Sequence, residues 1–229
     1  SLYSLDHYRA AAERLNDDGV FVQWLPLYQL TEFEFGVITR TMLDAFEQVT
    51  LWRNNFLPGG EKVALIGQRN RHPLPVPPGI HLKEMRDAVE GFTWQEALPE
   101  MVRPEPDAIM FFYAGNVTAE QALFDSYPIN TDDKPVIEYQ TPRRFRDLAA
   151  TEKVVWFVGP KLTRMIETIL RQCPVTSDPM LEGHPDSSRR LVIAGAAFHQ
   201  AMIAKGFNRP EKAQTQWEIF QRQWRLSAE

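Results

Sequence analysis

The chain has 229 residues, a mass of 26.4 kDa, one cysteine, 44% hydrophobic and 24% charged residues, and a formal net charge of −5, a balance ordinary for globular proteins. Lone Cys173 excludes an internal disulfide and a cysteine zinc cluster, and the five histidines, at 7, 72, 81, 184 and 199, lack metal-ligand spacing, so no structural metal is expected. Uncharged apolar stretches such as Val20 to Leu30 and Ala108 to Ala119 fall short of the ~20 residues that cross a bilayer, and a pI near 5.6 argues against a nucleic-acid binder.

Charge is unevenly spread. Residues 1–188 carry 18 Lys and Arg against 27 Asp and Glu, and residues 189–229 carry 7 against 3. The acidic part attracts a small cation weakly, which by itself fixes no chemistry.

In chain order, Ser1-Leu2-Tyr3-Ser4 leads directly into a helix. Ser4 is a good N-cap, and Leu5, Tyr8, Ala11, Ala12 and Leu15 share one face. Gly19 suits the left-handed residue that ends a helix, and Val20 to Trp24 reads as a buried strand. Thr31-Glu32-Phe33-Glu34 has the reciprocal capping-box pattern and predicts a helix to about Phe46. A strand from Val49 to Arg53 follows. Pro58-Gly59-Gly60 then turns the chain into a third strand, Lys62 to Gly67.

Helices alternating with strands predict an α/β domain with a parallel sheet covered on both faces, and the hairpin adds one antiparallel edge strand. Three strands are fewer than the about five to seven of a doubly wound sheet. They are therefore expected to be the carboxyl half of such a domain, or to draw partner strands from elsewhere. No G-x-G-x-x-G turn occurs.

Residues 68–104 are proline-rich and read as a connecting region with short helices at His81 to Val89 and Thr93 to Leu98. Pro106 to Ala114 and Thr118 to Phe124 read as two short helices broken at Gly115, and Pro135 favours an extended run through Val136-Ile137-Glu138-Tyr139. After Arg146, Lys161 to Gln172 is an amphipathic helix with Pro160 in its first turn. His184 and Ser187-Ser188 lie in a polar linker. Ser188 to Lys205 and Pro210 to Arg225 then form a helical pair that weakly resembles one tetratricopeptide hairpin, although no ~34-residue repeat is present. Residues 146–229 are thus a helical appendage, either a cap on the domain or an element for a protein partner or homo-oligomer. Cys173 has no activating base and reads as inert.

Two segments carry a more specific resemblance. Leu2-Tyr3-Ser4-Leu5-Asp6-His7-Tyr8, and Asn130-Thr131-Asp132-Asp133-Lys134-Pro135-Val136-Ile137-Glu138-Tyr139 with Thr141-Pro142-Arg143, resemble stretches of the spermidine synthases and their fused, often membrane-linked relatives. The likeness spans residues 1 to about 145. It implies the carboxyl-terminal half of a methyltransferase-like Rossmann sheet, acting with S-adenosylmethionine or its decarboxylated form, and aminopropyl transfer to a polyamine such as putrescine. That chemistry needs a base for the amine and in-line placement of its nitrogen. The resemblance places the gate aspartate and most cofactor-binding residues before Ser1, so the segment is expected to be inactive alone. The setting it implies is cytoplasmic, or attached to a membrane domain of a full-length protein.

Candidate substrate-binding residues follow. Gln23 and Trp24 end a strand whose carboxyl end faces the ligand crevice in this family; Gln23 can bond an amine, or cap the strand while Trp24 packs. Phe56 stands where the family supplies a tyrosine, and its ring has no hydrogen-bonding group. Asn130, Asp132 and Asp133 can bind a cation, although Asn, Thr and Asp also cap and turn chains. Glu138 and Arg143 can pair. Methyl transfer and a non-catalytic scaffold remain alternatives, because a fold does not fix its function.

Overall fold

The computed structural model describes residues 1–74, 108–151 and 155–227. It is a mixed α/β structure. The first part contains α1 (Leu5–Arg14), β1 (Val20–Pro26), α2 (Glu32–Ala45), β2 (Gln48–Arg53) and β3 (Lys62–Gln68). A short 3-10 turn, Ala108–Phe112, leads to β4 (Tyr113–Asn116) and a second turn, Thr118–Phe124; then come α3 (Val136–Thr151), α4 (Pro160–Gln172), α5 (Asp186–Gly206) and α6 (Pro210–Leu226). The expected short helices at 81–89 and 93–98 lie outside the described residues.

Local signals set the early elements. The Ser4 side chain caps α1 by accepting from the His7 N–H, and Glu34 caps α2 by accepting from the Thr31 N–H at 2.8 Å. Glu34 also accepts from Thr141 Oγ1 at 3.1 Å, tying α3 to α2. Gly19 is not left-handed. Helix α1 ends at Arg14, with the Leu15 N–H bonded to the Ala12 carbonyl, and Gly19 only precedes β1.

The sheet order is β1-β3-β2-β4, and every pairing among the described strands is antiparallel. The expected parallel pairing is therefore absent there. Strands β1 and β2 do run the same way, but β3 lies between them and opposes both. Its burial explains the placement: Val63, Ala64 and Leu65 are covered on both faces, as an internal strand requires, whereas β1 alternates between wet and covered side chains. The hairpin strand is thus central rather than an edge.

Of the two short helices expected around Gly115, the first is present as the 3-10 turn Ala108–Phe112, and strand β4 takes over from Tyr113 through the expected break. Gly115 takes φ +127° beside the irregular β2–β4 register at Leu51 and Trp52, a conformation that interrupts a helix and suits a bulge. Val136 to Tyr139 is not extended. Asn130 Oδ1 accepts from the Val136 and Ile137 N–H groups at 2.6 and 3.2 Å and starts α3 there.

The core covers both sheet faces. On one side Tyr8, Phe35, Ile38 and Met42 meet Val49, Leu51 and Leu65, together with Ile166 and Ile169 of α4. On the other, Trp52, Ala64 and Tyr113 meet Met180, Leu181, Leu191 and Val192. A third cluster joins Phe56 and Phe111 to Ala194, Phe198 and Phe220 of α5 and α6. His184 and Ser188, expected in a linker, are buried; His184 Nε2 lies 2.9 Å from the Leu74 carbonyl. Among the described residues, no helix is long and apolar enough to cross a membrane.

Candidate functional site

The candidate residues fall into separate neighbourhoods. Gln23 and Trp24 lie on β1, whose outer edge has no strand partner among the described residues. Tyr8 of α1 donates its hydroxyl to Gln23 Oε1 at 3.4 Å, and Gln23 Nε2 donates to the Trp24 carbonyl at 3.2 Å. Trp24 is 54% exposed and continues a row with Val20 and Val22. This β1 face is open to solvent, so the indole is not packed as the alternative reading expected.

Asn130, Asp132 and Asp133 gather at the start of α1. Asn130 is fully buried and uses all its polar groups: its amide nitrogen donates to the Tyr3 carbonyl, its backbone N–H to Thr41 Oγ1, and its carbonyl accepts from the Leu5 N–H at 2.7 Å. It is a latch between α1, α2 and α3. Asp132 Oδ1 lies 2.9 Å from the Ser1 nitrogen, and the Asp132 N–H donates to Asp6 Oδ2. Asp133 is exposed. Glu138 accepts from the Ser1 hydroxyl rather than pairing with Arg143. One turn of α1 separates this group from Tyr8 and Gln23.

Phe56 belongs to neither group. It is buried with its ring 5.1 Å from those of Phe111 and Phe198 and 5.8 Å from His199. Its aromatic surface supports the helical pair.

Three buried polar clusters escaped the sequence reading. Asp178 accepts from the Tyr113 hydroxyl at 2.7 Å, from Asn116 Nδ2 at 3.3 Å and from the Met180 N–H at 2.9 Å, and Asn116 is bonded in turn to Gln48. Burial first, and then the Asp178 charge, raise the Tyr113 pKa well above its ordinary value, and the same two causes lift Cys173 to about 11. The Asp178-Pro179 turn is the sequence signal for this network.

Glu61 is wholly buried and its Oε1 accepts from the Gly159 N–H at 2.7 Å. Burial raises its pKa, against the pull of nearby backbone N–H groups. Arg53 and His199 form the third cluster. Arg53 is 3% exposed and donates from Nη1 to the Tyr113 carbonyl at 2.6 Å; burial lowers its pKa to about 9. His199 is 1% exposed, and burial together with the Arg53 charge lowers it to about 3. A lone cation ending an apolar strand and a lone histidine in the small-residue face of α5 were the signals.

A cleft of about 200 Å³ between α2, the 118–124 turn and α4 has Phe35, Phe124, Tyr127 and Phe157 in its walls and Lys161 and Arg164 at its rim. Among the described residues no group of three or more His, Cys, Asp or Glu can hold a metal ion. No family model matches the chain, and neither curated proteins nor solved structures give a match.

Proposed function

We propose that residues 1 to about 145 are the later strands of a spermidine-synthase-like transferase domain. The observation that carries this reading is the β1-α2-β2 crossover. Two strands of the same direction joined by a helix are the repeating unit of wound α/β sheets, and among the described residues β1 keeps a free outer edge where a further strand pairs. The Val20, Val22 and Trp24 row is the face that a crossover helix accompanying such a strand covers.

In this reading S-adenosylmethionine or its decarboxylated form is held mainly by residues outside this chain. Gln23, positioned by the Tyr8 hydroxyl, offers its amide to a polar substrate at the β1 border. Asn130 acts as scaffold, and Asp132 and Asp133 give the neighbouring surface a negative field that favours an amine cation. The role of this segment is to complete the sheet and shape the acceptor side.

Calorimetry on the complete polypeptide, with decarboxylated and ordinary S-adenosylmethionine and with putrescine, tests the proposal. Binding of the decarboxylated form and putrescine is expected. Binding of the ordinary form alone shifts the assignment to methyl transfer, and binding of neither leaves the scaffold reading.

A further inference from the structure

Arg53 poses an unsolved electrostatic problem. Burying a guanidinium is strongly unfavourable unless an anion or a full set of acceptors compensates it. Nη1 is satisfied by the Tyr113 carbonyl, but Nε and Nη2 are buried with no hydrogen-bond partner. Among the described residues, no carboxylate pairs with Arg53.

The identity of the two orphan nitrogens is informative. Nε and Nη2 form one edge of the planar guanidinium, with parallel N–H bonds, and this edge accepts two oxygens of one carboxylate or phosphate group. Among the described residues, His199 Nε2 on α5 is a third buried nitrogen without a hydrogen-bond partner, and its ring lies 5.8 Å from that of Phe56, three positions after Arg53. Phe56 forms an apolar wall beside His199. Two buried basic groups on β2 and α5, both with unused nitrogens, make a neighbourhood short of one negative charge.

We propose that the Nε–Nη2 edge of Arg53, together with His199 Nε2, binds a small oxyanion, a carboxylate or a phosphate group, enclosed between the end of β2 and helix α5. The anion neutralises Arg53, fills both of its free donors and takes a third hydrogen bond from the Nε2–H of His199. The site is closed to solvent, so it loads as the chain folds or when the α5–α6 pair opens. It is unrelated to the Gln23 and Asn130 neighbourhoods and stands whether or not the transferase reading does.

The test is urea unfolding at constant ionic strength in chloride, acetate or phosphate. An anion that binds only the folded state raises the folded-to-unfolded ratio about tenfold for each tenfold increase in concentration above its Kd. A response to acetate alone assigns a carboxylate, a response to phosphate alone assigns a phosphate, and equal midpoints in all three salts overturn the proposal. Phosphate also strengthens burial in any protein by exclusion from its surface, so the response must vanish in Arg53→Met; a response that persists there is equally fatal. Should Arg53→Met not fold, the His199 ring resonances of the unmodified protein, assigned with His199→Gln, decide. They shift with added anion if the site exists and stay fixed if it does not.

Discussion

Gly195 of α5 lies so close to the carbonyl oxygen of Phe111 that a Cβ there would collide with it, a contact no side chain can occupy. Helix α5 therefore lies against the 108–112 turn at backbone distance, and that closeness brings Phe198 and His199 over Phe56. Gly195→Ala forces α5 away from rigid backbone. We expect a loss of about 3 kcal/mol or more in unfolding free energy, at the upper end of overpacking costs, measured by urea denaturation.

Asn130→Ala strands the Val136 and Ile137 N–H groups and removes the bond to Tyr3. Breaking this buried latch should cost about 2 to 4 kcal/mol. Asp133→Ala, in the same turn but exposed, should stay within about 0.5 kcal/mol of the parent. If the two variants unfold at the same urea concentration, the latch role is wrong.

His199 has a folded-state pKa of about 3 against an ordinary 6.5. The native state thus binds fewer protons than the unfolded one in this range, so the stability that His199 confers is present above about pH 6.5 and is lost as pH falls toward 3. In chloride, His199→Gln should flatten the acid limb of a plot of urea midpoint against pH.

Glu61 acts in the opposite sense. Its pKa is raised by burial, so its contribution is present at low pH and declines as pH rises through the folded value. Glu61→Gln preserves the oxygen that accepts from Gly159 and should reduce the loss of stability on the alkaline side, read from the same titration.

Cys173 is 6% exposed and its thiol is pushed up to about 11. An aromatic disulfide reagent at mildly alkaline pH should leave the native thiol unreacted and titrate one thiol per chain in urea. Rapid labelling of the folded protein would show that the Cys173–Asp178 region opens.

Trp24 lies on the open face of β1, and Trp24→Gln should change the unfolding free energy of this chain by no more than about 0.5 kcal/mol.

Helices α1, α2 and α4 to α6 and the first three strands could be read from local patterns, whereas α3, expected to be extended at Val136 to Tyr139, is started by Asn130 from outside its own segment. The Thr31–Glu34 box, the apolar spacing of α2 and α4 and the glycine hairpin encode their own geometry within a few residues. Strand order could not be read this way: β3 enters between β1 and β2 because its uninterrupted apolar run needs cover on both faces, a demand met only by chain segments that lie apart in sequence. The same limit applied to the site. Gln23 and Asn130 were visible as polar residues at element ends, but the use of every Asn130 group as a latch depends on α1, α2 and α3 meeting. Arg53 and His199 lie 146 positions apart. Nothing local signals that an arginine is buried without an anion, since desolvation is set by what packs around it and not by its neighbours along the chain.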